Sequence, residues 1–328
     1  MESVVDDIDD YDKVSSNSCN LFQLFLDDVT NTNTNTSTNI TDDDSYSPIW
    51  WCCMTCLLCS GFVFLVSELS GNYSQTDKLW SITPFVYTWI LICDSRTFLM
   101  FVLTAIWGIR LTYNFSRRGG YKFPHFWEGD EDYRWQYLMG KVSLPCHPLR
   151  SSSNDQHQHQ RFHDLVALLN KHKIGWSLFN FFFISIYQNV LLLLVVTPAM
   201  VAHLVATKCS SNHQQQHDQY YSLSSLNQWD WIGCLVFLSF VVLESVADNQ
   251  QQQFQIEKYR RIHSGDPSLL VGDYLDGFTR SGLYSWVRKP NYACEQGLWI
   301  SFAIFVFAAS FDSRAGAQQQ QQQQDMFV

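Results

Sequence analysis

Long apolar blocks alternate along this chain with polar segments of comparable length. A helix crosses the hydrocarbon core of a bilayer with about 20 mostly apolar residues. The pattern therefore predicts an all-α, polytopic integral membrane helical bundle with about six transmembrane helices. The predicted spans are Pro48–Val66, Leu79–Cys93, Thr97–Leu111, Ile174–Ala206, Trp229–Ala247 and Ala293–Phe311, of which Ile174–Ala206 has room for a tilted helix and an additional interfacial piece.

The polar segments between these blocks are of low complexity. They include "NTNTNTSTN", "QHQHQ", "HQQQHDQ" and a C-terminal run of glutamines, and such segments lack the apolar residues that a core requires. We therefore predict an acidic, unstructured tail over 1–47 and a membrane domain over 48–311. Unstructured inserts are expected near 150–161 and 208–226, and a glutamine-rich tail over 312–328.

Composition and charge narrow the possible partners. The formal net charge is −10, and much of it comes from the N-terminal tail, which argues against a nucleic-acid partner. The 24 Phe, 12 Trp and 15 Tyr suit membrane helices and their interfacial belts, so membrane lipids are the expected surroundings. Cys52, Cys53 and Cys56 have a metal-like spacing, but they lie in an apolar run, and we interpret them as small buried hydrophobes rather than as a metal site.

The distribution of Lys and Arg predicts the orientation in the membrane. Basic residues concentrate in 110–173 and 248–292, whereas the N-terminal tail and the 208–228 loop have almost none. Basic loops are retained in the cytosol. We therefore expect both basic segments to be cytosolic and the N-terminus to be lumenal, and we expect the membrane to be that of the endoplasmic reticulum.

A first polar cluster lies where the fifth predicted span ends, in "VVLESVADNQQQQFQIEKYRR". Helical periodicity continues past the membrane and places Glu244, Asp248, Gln251 and Gln255 on one side. Carboxylates near an apolar run cost free energy unless they have partners. The alternative is an ordinary interfacial helix end that carries one more glutamine repeat.

A second polar cluster lies in "GLYSWVRKPNYACEQGLW". Pro290 favours a helix start just after it, with Asn291 as the cap and Glu295 in or next to the first turn. Arg288 and Lys289 then stand beside an electropositive helix N-terminus, which suits an anion. Anchoring to anionic headgroups is the alternative. Together with the first cluster, these residues predict a cleft that receives a phosphate and an adenosine at opposite ends.

A third stretch follows the third predicted span. Gly119 and Gly120 are expected to end that helix, and the aromatic and charged residues after them, up to Gln136, suit a lid over a site. A plain amphipathic connection is the alternative.

Together, "RLTYNFSRRGGY", "FNFFFISIYQNVLLL", "ESVADNQQ" and "GLYSWVRKPNYACEQGLW" resemble the poorly characterised branch of the steroid 5-alpha reductase superfamily. The resemblance covers roughly 80–310. It implies a multi-span bundle in which NADPH enters from the cytosol and reduces a carbon–carbon double bond conjugated to a ketone. The expected substrate is a hydrophobic, lipid- or sterol-like small molecule.

The resemblance also implies roles for individual residues. Asp248 and Asn249 match a pair that faces the adenosine and ribose. Arg260, farther along the same helix, is expected to favour a 2′-phosphate, and Tyr133 is a candidate proton donor, although no catalytic residue is identified. The remaining cofactor residues, near the phosphates and nicotinamide, are Arg288, Asn291, Tyr292 and Glu295.

Departures from the family pattern leave two other functions open. Lys289 replaces the usual histidine, Cys294 replaces a glycine, and the chain turns into glutamines where relatives continue with a further hydrophobic helix. A non-catalytic membrane protein on the same scaffold is therefore one alternative. The other is an integral-membrane methyltransferase that uses S-adenosylmethionine, because such enzymes have a related R-x-P-x-Y pattern.

Overall fold

The fold is described from a computed structural model, which covers residues 47–122, 124–125, 128–139, 173–209 and 226–326. Within these ranges the structure is helical, with no strand. A π-helical stretch over Asn180–Tyr187 joins α6 to α7. The helices are α1 (Pro48–Ser70), α2 (Gln75–Leu79), α3 (Thr83–Ile90), α4 (Ser95–Ser116), α5 (Tyr133–Leu138), α6 (Lys173–Phe179), α7 (Gln188–Val195), α8 (Thr197–Leu204), α9 (Gln228–His263), α10 (Asp273–Asp276) and α11 (Pro290–Met326).

In the described part of the chain, five helical segments are long and apolar enough to cross a membrane: α1, α4, the continuous run from α6 to α7, α9 and the first part of α11. Large apolar side chains on their outer faces are open to lipid, as Leu58, Leu69 and Ile300 illustrate at 73%, 87% and 71% exposure. The prediction of an all-α integral membrane bundle is confirmed.

Local capping chemistry determines where three of these helices begin. Ser47 accepts a hydrogen bond from the Trp50 amide, and Asp94 and Asn227 each form a reciprocal capping box, with Thr97 and Asp230 respectively. Such caps satisfy amides that the helix itself leaves without partners. We call the end of the bundle where these three helices begin the cap end, and the opposite end the loop end.

The predicted span Leu79–Cys93 is wrong as a single helix. Because α1 and α4 both run from the cap end to the loop end, the chain between them must return through the bundle. It does so as a broken passage, in which α2 and α3 are separated by a turn over Trp80–Ile82. Pro84 at the start of α3 favours a new helix there, and α3 has only 8 residues.

The segment predicted as Ile174–Ala206 is a helix followed by a shorter piece, as expected. A break at Val196 precedes α8, whose second residue is a proline. Inside the first piece, the π-helical stretch displaces backbone carbonyls from their regular partners, and Thr76 Oγ1 donates to the Ile184 carbonyl at 2.8 Å. The broken passage and the π-helical stretch therefore stabilise each other.

Close packing of α9 against α11 brings the two sequence clusters together. Phe237 stacks on Phe302 with ring centroids 5.1 Å apart, and both rings are fully buried. A Cβ at Gly233 would lie 2.9 Å from the Phe305 ring, and one at Gly297 would lie 2.6 Å from the Phe240 ring. These contacts require glycine and fix the register that places the end of the predicted fifth span beside the start of α11.

Two helices extend beyond the spans predicted for them. The helix α9 has 36 residues and continues to His263, as the periodicity predicted. The helix α11 continues to Met326, so its backbone includes the glutamine run that we expected to be an unstructured tail.

Candidate functional site

Charged side chains of α4 and α9 meet inside the loop end of the bundle. The Nη1 atom of Arg110 lies 2.7 Å from Asp248 Oδ2, and its Nη2 atom lies 2.7 Å from Glu244 Oε1. Asn114 Nδ2 donates to the same Asp248 oxygen at 2.8 Å. We call Arg110, Asn114, Glu244, Asp248 and Glu295 the loop-end cluster.

Helical spacing explains how this cluster forms. Arg110 and Asn114 lie four residues apart on α4, and Glu244 and Asp248 lie four residues apart on α9, so each pair shares one helix face. Glu244 and Asp248 are only 3% and 5% exposed. Buried carboxylates require a cation or hydrogen-bond donors, and Arg110 supplies a charge between the two.

The rim of the cluster is basic. Arg117 Nη1 donates to Asn249 Oδ1 at 2.8 Å and its Nε donates to Asn114 Oδ1 at 2.9 Å. Arg118 Nη2 lies 3.6 Å from Asp248 Oδ1, which exceeds a hydrogen-bond distance. Of the predicted pair, Asp248 is buried and its Oδ1 retains capacity to accept a hydrogen bond, whereas Asn249 is exposed.

The broken passage forms the inner wall of the cluster. Trp80 Nε1 donates to Glu295 Oε1 at 3.1 Å, and Ser81 Oγ lies 2.7 Å from Thr112 Oγ1. The Ser81 carbonyl packs against Gly108, where an added Cβ would lie 2.7 Å from the oxygen. Interrupted helices inside a membrane bundle commonly line binding sites, because their irregular backbone requires polar surroundings.

An open cavity of about 200 Å³ lies at the loop end, in the segment just before α11. Arg280 and Arg288 line the cavity and provide positive charge. The Nη2 atom of Arg280 lies 2.6 Å from Asp276 Oδ2. Tyr284 connects the cavity to the cluster, because its hydroxyl donates to the Ala247 carbonyl at 3.4 Å. The cavity is lined by Phe278, Thr279, Arg280, Tyr284, Ser285, Trp286, Val287 and Arg288.

Burial and the neighbouring Asp248 carboxylate raise the pKa of Tyr284 to about 12. Its hydroxyl therefore stays protonated at neutral pH and serves as a hydrogen-bond donor at the boundary between cavity and cluster.

The start of α11 differs in detail from the prediction. The helix begins at Pro290, and the Lys289 carbonyl accepts the first helical hydrogen bond from Ala293 at 3.2 Å. Asn291 therefore lies in the first turn and is not the cap. Lys289 Nζ lies 4.8 Å from the centre of the Tyr292 ring, a cation–π contact at the mouth of the site.

Arg260 is not brought to the other predicted cofactor residues. It lies about three turns beyond Asp248 on α9 and hydrogen-bonds through Nε and Nη2 to Glu257, at 2.8 and 3.0 Å. Its side chain is 77% exposed. The helix is continuous from the cluster to His263, so a residue about three turns along it lies away from Asp248.

The segment that we predicted as a lid packs against the connection between α1 and α2. Asn72 Nδ2 donates to the Gly129 carbonyl at 2.8 Å, and Trp135 Nε1 donates to Asp77 Oδ2 at 3.1 Å. Burial raises the pKa of the Asp77 carboxyl, and the nearby Arg134 opposes this effect. The Tyr133 side chain and the nearby Trp127 lie outside the described residues, and the backbone of Tyr133 begins α5.

Sequence reasoning missed several residues of the site. Arg110 and Asn114 carried a usable signal, since an arginine inside an apolar span requires a buried acid and α9 supplies one at matching spacing. Tyr284 lies within the second cluster and Arg280 lies just before it, but neither residue has a diagnostic spacing. Trp80 had no local signal at all, because its contact with Glu295 depends on the tertiary fold.

Comparison with known proteins identifies relatives of unknown function. A family model described as "Protein of unknown function (DUF1295)" matches residues 63–149 and 142–316. The "Uncharacterized protein C594.04c" of Schizosaccharomyces pombe is 29% identical over 257 residues, which is 75% of this chain and 60% of that protein. The chain thus spans three fifths of the length of this relative. No solved structure matches.

Proposed function

The chain belongs to the DUF1295 family of proteins of unknown function, and we propose that it is a membrane-bound, NADPH-dependent reductase. Its substrate is a steroid- or lipid-like enone, of which it reduces the conjugated carbon–carbon double bond. The observation that carries this proposal is the buried loop-end cluster next to an arginine-lined cavity, on a bundle whose outer surface is apolar.

The residues fit a dinucleotide in three respects. Arg280 and Arg288 line one cavity and suit phosphates, because guanidinium groups bind them through paired hydrogen bonds. Asp248 Oδ1 suits a ribose hydroxyl. Glu244 and Arg110 have buried polar atoms without a hydrogen-bond partner among the described residues, so these atoms can still form hydrogen bonds with a ligand.

When bound, the nicotinamide would supply the hydride. The chain itself orients the two reactants, excludes water from the apolar bundle and places cations near the phosphates. Tyr133 stays a prediction as the proton donor.

Ligand-dependent melting of the detergent-purified protein tests the proposal. NADPH at about 100 times its dissociation constant should add roughly 2.7 kcal/mol to the free energy of unfolding. Arg288→Ala should weaken NADPH binding by about 10- to 100-fold, because it removes a charge-assisted phosphate contact of roughly 1.5–3 kcal/mol.

Arg260→Ala is the matched control. Arg260 lies on the same side of the membrane as Arg288, but it does not line the cavity. Unchanged NADPH affinity in Arg288→Ala would exclude Arg288 from the phosphate site. A shift with S-adenosylmethionine alone would transfer the assignment to a methyltransferase, and no shift with NADPH, NADH or S-adenosylmethionine would favour a non-catalytic scaffold.

We also propose that the loop end faces the cytosol in the membrane of the endoplasmic reticulum, with a lumenal N-terminus. Described arginines at the loop end, among them Arg117, Arg118, Arg280 and Arg288, support this orientation. In sealed microsomes, a protease added outside should leave a tag at position 2 intact. Cleavage of that tag would place the cluster on the side away from cytosolic NADPH.

A further inference from the structure

The Arg110–Glu244 contact in the loop-end cluster is incompletely hydrogen-bonded. Arg110 Nη1 is occupied by Asp248 Oδ2. Its Nη2 atom lies 2.7 Å from Glu244 Oε1 but has no hydrogen-bond partner, so this ion pair is close without being aligned. Arg110 Nε and Glu244 Oε2 likewise have no hydrogen-bond partner among the described residues.

These atoms are buried, so leaving them without partners has a cost. A buried polar group that lacks a hydrogen bond loses its hydration without compensation, and in folded proteins such groups are rare. The unpaired atoms also lie together: the Nε–Nη2 edge of Arg110 offers two donors, and Glu244 Oε2 beside it offers an acceptor. A complementary ligand group therefore has an acceptor and an N–H or O–H donor side by side.

We propose that this edge binds the carboxamide of a nicotinamide ring. The carbonyl oxygen of the carboxamide accepts from the Nε–Nη2 edge of Arg110, and its NH₂ group donates to Glu244 Oε2. This inference rests on the proposed function and adds to it a specific position for the ring, at the inner end of the cluster. Arg110 and Glu244 are then cofactor-positioning residues; the sequence analysis placed Glu244 in the first polar cluster without an individual role and did not identify Arg110.

Other ligand groups match less well. A phosphate or carboxylate would satisfy the arginine, but its negative charge would lie against that of Glu244. A ketone would also satisfy the arginine and would leave Glu244 Oε2 without a donor. A hydroxyl provides one donor and one acceptor on a single atom, whereas the unpaired atoms belong to two neighbouring side chains on different helices.

A comparison of two dinucleotides in two proteins tests the assignment. The ligands are NADPH and its reduced 3-acetylpyridine analogue, whose methyl ketone keeps the acceptor and lacks the donor. The wild-type protein should bind NADPH roughly tenfold or more tightly, the value of one hydrogen bond to a charged group. In Glu244→Met the two ligands should bind equally, because the acceptor for the NH₂ group is gone.

Glu257→Met is the matched control, because it removes a partly exposed glutamate farther along α9 and should leave the preference at its wild-type value. Affinities are measured by ligand-dependent melting, without any substrate. A preference that persists in Glu244→Met would overturn the assignment. If that variant fails to fold, the wild-type ratio decides, and equal affinities for the two ligands would also overturn it. Failure of both ligands to bind would instead contradict the proposed function.

Discussion

The described part of the bundle contains two buried ionic clusters built from the same three helices. At the loop end, Arg110 of α4 meets Glu244 and Asp248 of α9, next to Glu295 of α11. At the cap end, Arg96 of α4 meets one aspartate from α9 and one from α11. We call the second set, Arg96, Asn227, Asp230 and Asp312, the cap-end clamp.

The two clusters differ in how completely their polar atoms are paired. In the cap-end clamp, Arg96 binds Asp230 through two hydrogen bonds of 2.7 and 3.0 Å and also binds Asp312. Asn227 donates to Asp312 Oδ1 at 2.9 Å. No side-chain atom of the clamp is buried without a partner in the described structure, whereas the loop-end cluster has three such atoms on Arg110 and Glu244.

This difference separates a structural role from a binding role. A fully paired buried cluster holds helices in register, and adding a ligand to it would break existing hydrogen bonds. A partly paired cluster has the same desolvation cost with less compensation, and a ligand that completes the pairing recovers that free energy. By this criterion the cap-end clamp is structural and the loop-end cluster is the site.

The largest expected effect comes from breaking the clamp. Arg96→Leu leaves Asp230, which is fully buried, without its cation, and such a loss typically costs roughly 3–5 kcal/mol of unfolding free energy. Thermal or denaturant unfolding in detergent measures it. The ratio of affinities for NADPH and its 3-acetylpyridine analogue should stay at the wild-type value, because the loop-end cluster is untouched.

Asp312→Asn provides the control within the clamp. The Asp312 side chain is 44% exposed, so its ion pair with Arg96 is partly screened by solvent and should contribute less than about 1 kcal/mol. If Asp312→Asn destabilises the protein as strongly as Arg96→Leu, then burial does not determine how much each ion pair of the clamp contributes to the free energy of unfolding. A change in the ligand ratio in either variant would show that the two ends are coupled.

Most of the fold followed from local pattern. Apolar runs identified the long helices, and the periodicity after Glu244 correctly extended α9 past the membrane. The broken passage was missed because Leu79–Cys93 has an unremarkable apolar average. Its division into α2 and α3 had a local signal in Pro84, which favours a helix start, whereas the return of the chain between α1 and α4 depends on the tertiary fold.

The site was predictable only where its residues are neighbours in sequence. The structure places Asp248, Asn249, Arg288 and Glu295 at the loop end, and their role as cofactor residues stays a prediction. Arg110 was missed because an arginine at a span end also fits the positive-inside rule, and only the facing helix shows that it is paired. Arg260 was wrongly grouped with the residues near Asp248 because the two are close in sequence. About three helical turns separate them, and this distance takes the Arg260 side chain away from the loop-end cluster.

The last prediction concerns Gly108, which lies on α4 between Arg96 and Arg110 and tests whether the broken passage supports the loop-end cluster alone. In Gly108→Ala the new Cβ would lie 2.7 Å from the Ser81 carbonyl, so the turn that carries Trp80 must shift, and we expect the Trp80 indole to lose its hydrogen bond to Glu295. Overpacking of this kind costs roughly 1–3 kcal/mol.

Gly61→Ala on α1 is the matched control, since its Cβ meets nothing within 4 Å and alanine should instead stabilise the helix by about 0.5–1 kcal/mol. Melting measures both, and NADPH affinity should fall in Gly108→Ala only, because Glu295 loses its indole donor. Equal NADPH affinity in the two variants would mean that the broken passage only packs against the other helices and has no part in NADPH binding.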